Sequence, residues 1–115
     1  MGVCFNGVGQ VCATFLGDGL IEGQVVKMAG GGSVAACGDG ESFCGTVLHC
    51  GDGAGSVQVR GFLTVGYTGS APNAGQAALC GNGQGGVRLS EGDDEETWCL
   101  VADVDTGAKT VTVML

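Results

Sequence analysis

Glycine occupies 25 of the 115 positions and proline only one. A glycine inside a helix costs about 1 kcal/mol relative to alanine, so a stable helix needs a long stretch nearly free of it. Only the window 93–106 meets that demand. Its second half, Thr97-Trp98-Cys99-Leu100-Val101-Ala102-Asp103-Val104, is rich in residues that suit a pleated strand. The acidic first half therefore reads as loop and the second as strand. The glycines follow no Gly-X-Y period, which excludes a collagen triple helix. Hydrophobic residues make up 44% and charged residues 14%, a balance that argues against disorder. Strands joined by turns remain.

Short β-compatible runs recur at 11–16, 24–28, 33–37, 43–50, 56–67, 77–80, 86–89, 97–104 and 109–115. The long run 56–67 alternates. Val57, Val59, Gly61, Leu63 and Val65 share one face, and Gln58, Arg60, Phe62 and Thr64 the other, with Gly61 marking a bend or bulge. In the last run Val111, Val113 and Leu115 oppose Thr110, Thr112 and Met114, the alternation of a half-buried antiparallel strand. The tetrapeptides Cys37-Gly38-Asp39-Gly40, Cys50-Gly51-Asp52-Gly53 and Cys80-Gly81-Asn82-Gly83 each close a run, and Gly17-Asp18-Gly19 is a partial copy. Asp-Gly and Asn-Gly accept the positive φ of tight turns, so these are chain reversals. Their spacing is irregular, which argues against a solenoid repeat. The expectation is one all-β domain over 1–115, a small barrel or sandwich of short antiparallel strands and Gly-rich hairpin turns. Residues 1–19 form either an N-terminal arm or the first strand.

Charge narrows the partners. Four basic residues, Lys27, Arg60, Arg88 and Lys109, face twelve acidic ones, for a net charge of −8. So few cations cannot neutralise a run of phosphates, and anionic lipid would repel the chain, so neither nucleic acid nor membrane is expected as a partner. The longest uncharged stretch, 61–87, is full of Gly, Ser, Thr, Asn and Gln and does not read as a bilayer helix.

The seven cysteines, Cys4, Cys12, Cys37, Cys44, Cys50, Cys80 and Cys99, are odd in number, and the N-terminus has no positively charged leader region. Reduced thiols acting as small hydrophobes fit better than a disulfide framework. No C-x-x-C pair exists, and the single histidine, His49, sits beside Cys50 in a strand-like run where neighbours point apart. No metal or cofactor is therefore expected.

Catalytic motifs are thin. The Gly-Asp-Gly loops lack the converging oxygens of a calcium site. Val101-Ala102-Asp103-Val104-Asp105-Thr106-Gly107-Ala108 echoes the aspartic-protease signature, which would require a homodimer pairing two Asp105 carboxylates. Only eight residues follow Gly107, and Asp-Thr-Gly is equally a good hairpin turn, so a protease is the least favoured reading. The acidic run 91–96 reads as a solvated loop. No catalytic residue is assigned.

One succession of β motifs carries a resemblance. Gly23-Gln24-Val25-Val26-Lys27-Met28 leads to Ser33-Val34-Ala35-Ala36. Phe43-Cys44-Gly45-Thr46-Val47-Leu48 and Val57-Gln58-Val59-Arg60-Gly61-Phe62-Leu63-Thr64-Val65 follow. Trp98-Cys99-Leu100-Val101-Ala102-Asp103-Val104-Asp105 with Thr110-Val111-Thr112-Val113 closes the chain. Over residues 20–115 this resembles the small bacteriophage capsid decoration (cement) proteins and their prophage relatives. The resemblance implies a non-enzymatic viral structural protein, made in the bacterial host cytoplasm and carried on the virion surface. It would bind the major capsid protein, often as a homotrimer. The expected interface anchors are drawn from the scarce aromatics Phe62, Tyr67 and Trp98. A small β-structured adhesin or head-fibre module is the alternative.

Overall fold

Ten strands follow one another along the chain in the computed structural model, which describes residues 10–115. They are β1 (Val11–Leu16), β2 (Val25–Gly30), β3 (Ser33–Ala36), β4 (Gly45–Gly51), β5 (Ala54–Arg60), β6 (Phe62–Gly66), β7 (Gly75–Gly81), β8 (Val87–Leu89), β9 (Thr97–Asp105) and β10 (Thr110–Met114). No helix occurs among the described residues. Of the segment 1–19, residues 11–16 are the first strand, and residues 1–9 lie outside the described part.

The first five strands close a barrel in the order β1-β3-β2-β4-β5, and the last five form a sheet in the order β6-β10-β9-β7-β8. The chain thus builds a closed barrel together with a second sheet. The strands pair antiparallel, as expected, with two parallel contacts added. β1 meets β3 in parallel through one pair, Leu16↔Ser33, and that pair closes the barrel. Tyr67 and Val87 form an isolated parallel bridge. β1 lies along the whole of β5, yet its side chains are exposed except for the half-buried Phe15.

The run 56–67 is two strands belonging to different sheets. At Gly61 φ reaches 98°, a value that residues with a Cβ rarely adopt, and the chain leaves the barrel for the second sheet. Gln58, on the face opposite Val57, is only 6% exposed. Its amide donates to the carbonyls of Arg60 and Phe62, both at 3.0 Å, and its oxygen accepts from Gln10 Nε2 at 3.1 Å. The buried amide thus bridges the carbonyls on either side of the corner and is itself satisfied there.

Two of the repeated turns are used against each other. The Gly40 N–H donates to the Gly81 carbonyl at 2.9 Å, and the Gly81 N–H to the Glu41 carbonyl at 2.8 Å. A Cβ on Gly81 would stand 2.6 Å from Cys37 Sγ, so the close approach of the two turns demands glycine there. The 80–83 turn joins the paired strands β7 and β8, whereas the 37–40 turn carries the chain from β3 past β2 to β4. Asp52 and Gly53, with φ of 52° and 76°, make the two-residue hairpin between β4 and β5.

The core has two parts. Val26, Val34, Val47 and Val57 pack together in one cluster drawn wholly from barrel strands. Val25, Cys37 and Phe43 pack instead with Leu63, Val65, Tyr67, Leu79, Val87, Cys99, Val101, Val111 and Val113, tying the barrel to the second sheet. Adjacent strand residues point to opposite faces, so Val25 and Val26 serve both clusters from one strand.

Candidate interaction surface

β9 turns Cys99 and Val101 inward, at 3% and 1% exposure, and Trp98 and Leu100 outward, at 65% and 38%. On β10 Met114, 40% exposed, lies opposite Leu100 on one side and the half-buried Phe62 on the other. Trp98 faces Ala78 of β7. An apolar outer face therefore runs across β6, β10, β9 and β7. Beside it, Met28, Phe43, Cys44, Val59, Arg60, Thr97, Trp98 and Leu115 line a recess of ≈ 350 Å³. Met28 itself is half exposed on β2.

The three aromatic anchors expected from the sequence part company. Trp98 is presented to solvent. Phe62 is half-buried beside Met114. Tyr67 is only 5% exposed and belongs to the shared core, so it is corrected from a surface anchor to a packing residue. It follows β6 inward and bridges Val87, while Lys109 Nζ lies 6.0 Å from its ring centroid. Met28, Leu100 and Met114 enlarge the apolar face and had not been singled out. Alternation along 110–115 set Met114 opposite Val111, Val113 and Leu115, and the same period applied to 97–105 sets Leu100 opposite Cys99 and Val101.

The charged side chains mostly serve the turns. Arg88 Nη1 bonds Asp94 Oδ2 at 2.7 Å and its Nε bonds Asp39 Oδ1 at 2.8 Å, which pins the acidic loop 91–96 to the 37–40 turn. The hydrogen bond from Arg88, joined by the Glu91 N–H, holds the Asp94 carboxyl below its ordinary range. Lys27 lowers Glu41 in the same way through a 2.6 Å pair, with the Gly38 N–H adding to it. The loop 91–96 is thus partly a structural clamp, with Glu91, Asp93 and Glu96 left exposed.

No catalytic constellation assembles among the described residues. Asp105 Oδ1 accepts the N–H groups of Gly107 and Ala108, both at 3.0 Å, the geometry of an aspartate closing the β9–β10 hairpin. The His49 side chain is 85% exposed, 4.0 Å from Glu22. A cleft of ≈ 620 Å³ lies between the 82–86 turn, Gln24 and Tyr67, with five glycines among its lining residues. Its Asn82 amide is spent on the turn and on Thr68. Burial, with Glu41 nearby, pushes the Cys37 thiol in its wall up to about 11, far from a reactive thiolate. No group of three or more potential metal ligands occurs among the described residues. The six described cysteines are all unbonded thiols.

No family model matches the chain, and no curated protein or solved structure matches it.

Proposed function

We propose that the protein is a non-enzymatic structural protein that binds the outside of an assembled phage head and stabilises the shell. The single observation that carries this reading is the apolar outer face centred on Trp98. A tryptophan that is 65% exposed, flanked by Leu100, Met114 and Met28, suits burial against another protein. The resemblance over residues 20–115 supplies the kind of partner, the major capsid protein. Mechanically, each copy docks its apolar face across neighbouring capsomers. Many copies then favour the assembled shell by mass action, each with a modest binding term. The exposed acidic residues outside the Arg88 clamp, Glu91, Asp93 and Glu96, would steer the approach.

The test is co-sedimentation of the folded protein with shells of the major capsid protein from the same genome, followed by heat challenge of the decorated particles. Binding with raised heat resistance is expected. Trp98→Ala should weaken binding by about 2 kcal/mol or more, roughly thirty-fold. Absence of binding at micromolar concentration in low salt would remove the capsid reading and favour an adhesin-like module.

A further inference from the structure

The ladder between β2 and β4 stops early. Its rungs are Val25↔Thr46 and Val26↔Gly45, and the Cys44 N–H donates to the Val26 carbonyl at 2.8 Å. An antiparallel ladder continues in steps of two, so the next bond would run from the Ser42 N–H to the Met28 carbonyl. The Ser42 N–H instead donates to Glu95 Oε1 at 2.9 Å, and the Phe43 N–H to Thr97 Oγ1 at 3.2 Å. These bonds draw the chain entering β4 away from β2. Residues 28–30 keep β3 on one edge and have no strand on the other among the described residues.

The splay holds a groove of ≈ 590 Å³ between Met28 and Ala29 on one wall and residues 41–44 on the other. Through Met28, Phe43 and Cys44 it joins the recess under Trp98. Its two ends differ in charge. Arg60, at the Trp98 end, forms no ion pair among the described residues, whereas Glu95 stands at the far end. Lys27 and Glu41 neutralise each other between them. Open backbone groups, an apolar recess and one uncommitted cation are the features by which a sheet edge captures an extended acidic segment. The net charge of −8 opposes acidic partners in general, so the charge preference rests on the local contact of one carboxylate with Arg60.

We propose that this groove takes an extended peptide segment of another protein, added as a strand along residues 28–30, with a carboxylate on Arg60 and an apolar side chain against Trp98. The assignment stands independently of the capsid reading.

Trp98 is the chain's single tryptophan and lines the recess, so its fluorescence reports occupancy. The probes are acetyl-Asp-Thr-Val-Thr-Val-Thr-Gln-amide and the reversed sequence, which cover both strand polarities, and the same pair with Lys in place of Asp. One acidic probe should shift Trp98 emission to the blue and saturate at or below about 1 mM. Its Lys form, and Arg60→Glu or Arg60→Gln protein with an unchanged circular dichroism spectrum, should bind at least about tenfold more weakly. N-methylation of the binding probe on one of its two alternating sets of amides should abolish binding, because those amides face the edge.

No shift with either acidic probe overturns the proposal. Equal binding by the Lys form or by the Arg60 variants removes the charge assignment, and indifference to both methylation patterns removes strand addition. Peptide binding without shell binding leaves the groove and removes the capsid reading. Shell binding without peptide binding does the reverse.

Discussion

Two aromatic residues from the same short list of candidates have opposite duties, and their burial separates them. Trp98 is 65% exposed and Tyr67 is 5% exposed. Removing a buried aromatic leaves both lost transfer energy and a cavity, about 3 to 5 kcal/mol. Tyr67→Ala should therefore lower unfolding stability by that amount in urea titration, whereas Trp98→Ala should stay within about 1 kcal/mol of the parent. The thiols give a second prediction at this scale. Burial raises both Cys37 and Cys99 to about 11, from an ordinary value of 9.0. The folded state therefore holds these protons after the unfolded chain has released them. Their contribution is intact below pH 9 and is lost as pH rises from 9 toward 11. Urea midpoints should fall across that window, and fall less steeply in Cys37→Ala/Cys99→Ala protein.

Most element positions were legible because glycine density left only strands, and alternation then set their faces. Val57, Leu63, Val65, Val111 and Val113 point inward as their spacing demands. The passage from β5 to β6 was legible only as a bend at Gly61. That the bend separates two sheets depends on pairings with β1 and β10, far away in sequence, which no local pattern encodes. The burial of Gln58 was hidden for the same reason, since the carbonyls that its amide bridges meet only at that corner. The apolar recess was half legible: Trp98 stood out by rarity, but Met28 joins it only through the splay of β2 from β4. Two substitutions probe the corner. Gln58→Leu removes the two hydrogen bonds that span the corner and should cost about 1 to 3 kcal/mol. Gly61→Ala forces a Cβ into positive φ and should cost about 1 to 2 kcal/mol. Urea unfolding of both variants checks the values. A cost within error of zero would mean that the corner relaxes without them.

At the scale of the whole molecule, the shared cluster decides whether barrel and sheet behave as one body. Val25, Cys37 and Phe43 reach from the barrel side into the core of the second sheet, and two opposed turns are bonded across the same seam. The two sheets should therefore unfold together. Trp98 fluorescence reports the second sheet, and thiol labelling of Cys50 reports the barrel. Their midpoints in urea should coincide, and separated midpoints would show that the seam is weaker than either sheet. The closure of the barrel has a different implication. One parallel pair, Leu16↔Ser33, seals it, and the strand it secures buries little more than Phe15. β1 is therefore the stave most cheaply lifted out. Its amides should exchange with deuterium through local opening, ahead of the global unfolding that β4 and β5 require. A lifted β1 leaves behind a slot along β5 that the same strand of a second copy fits equally well, so concentrated protein held near its melting point should accumulate strand-swapped pairs that return to monomers on dilution.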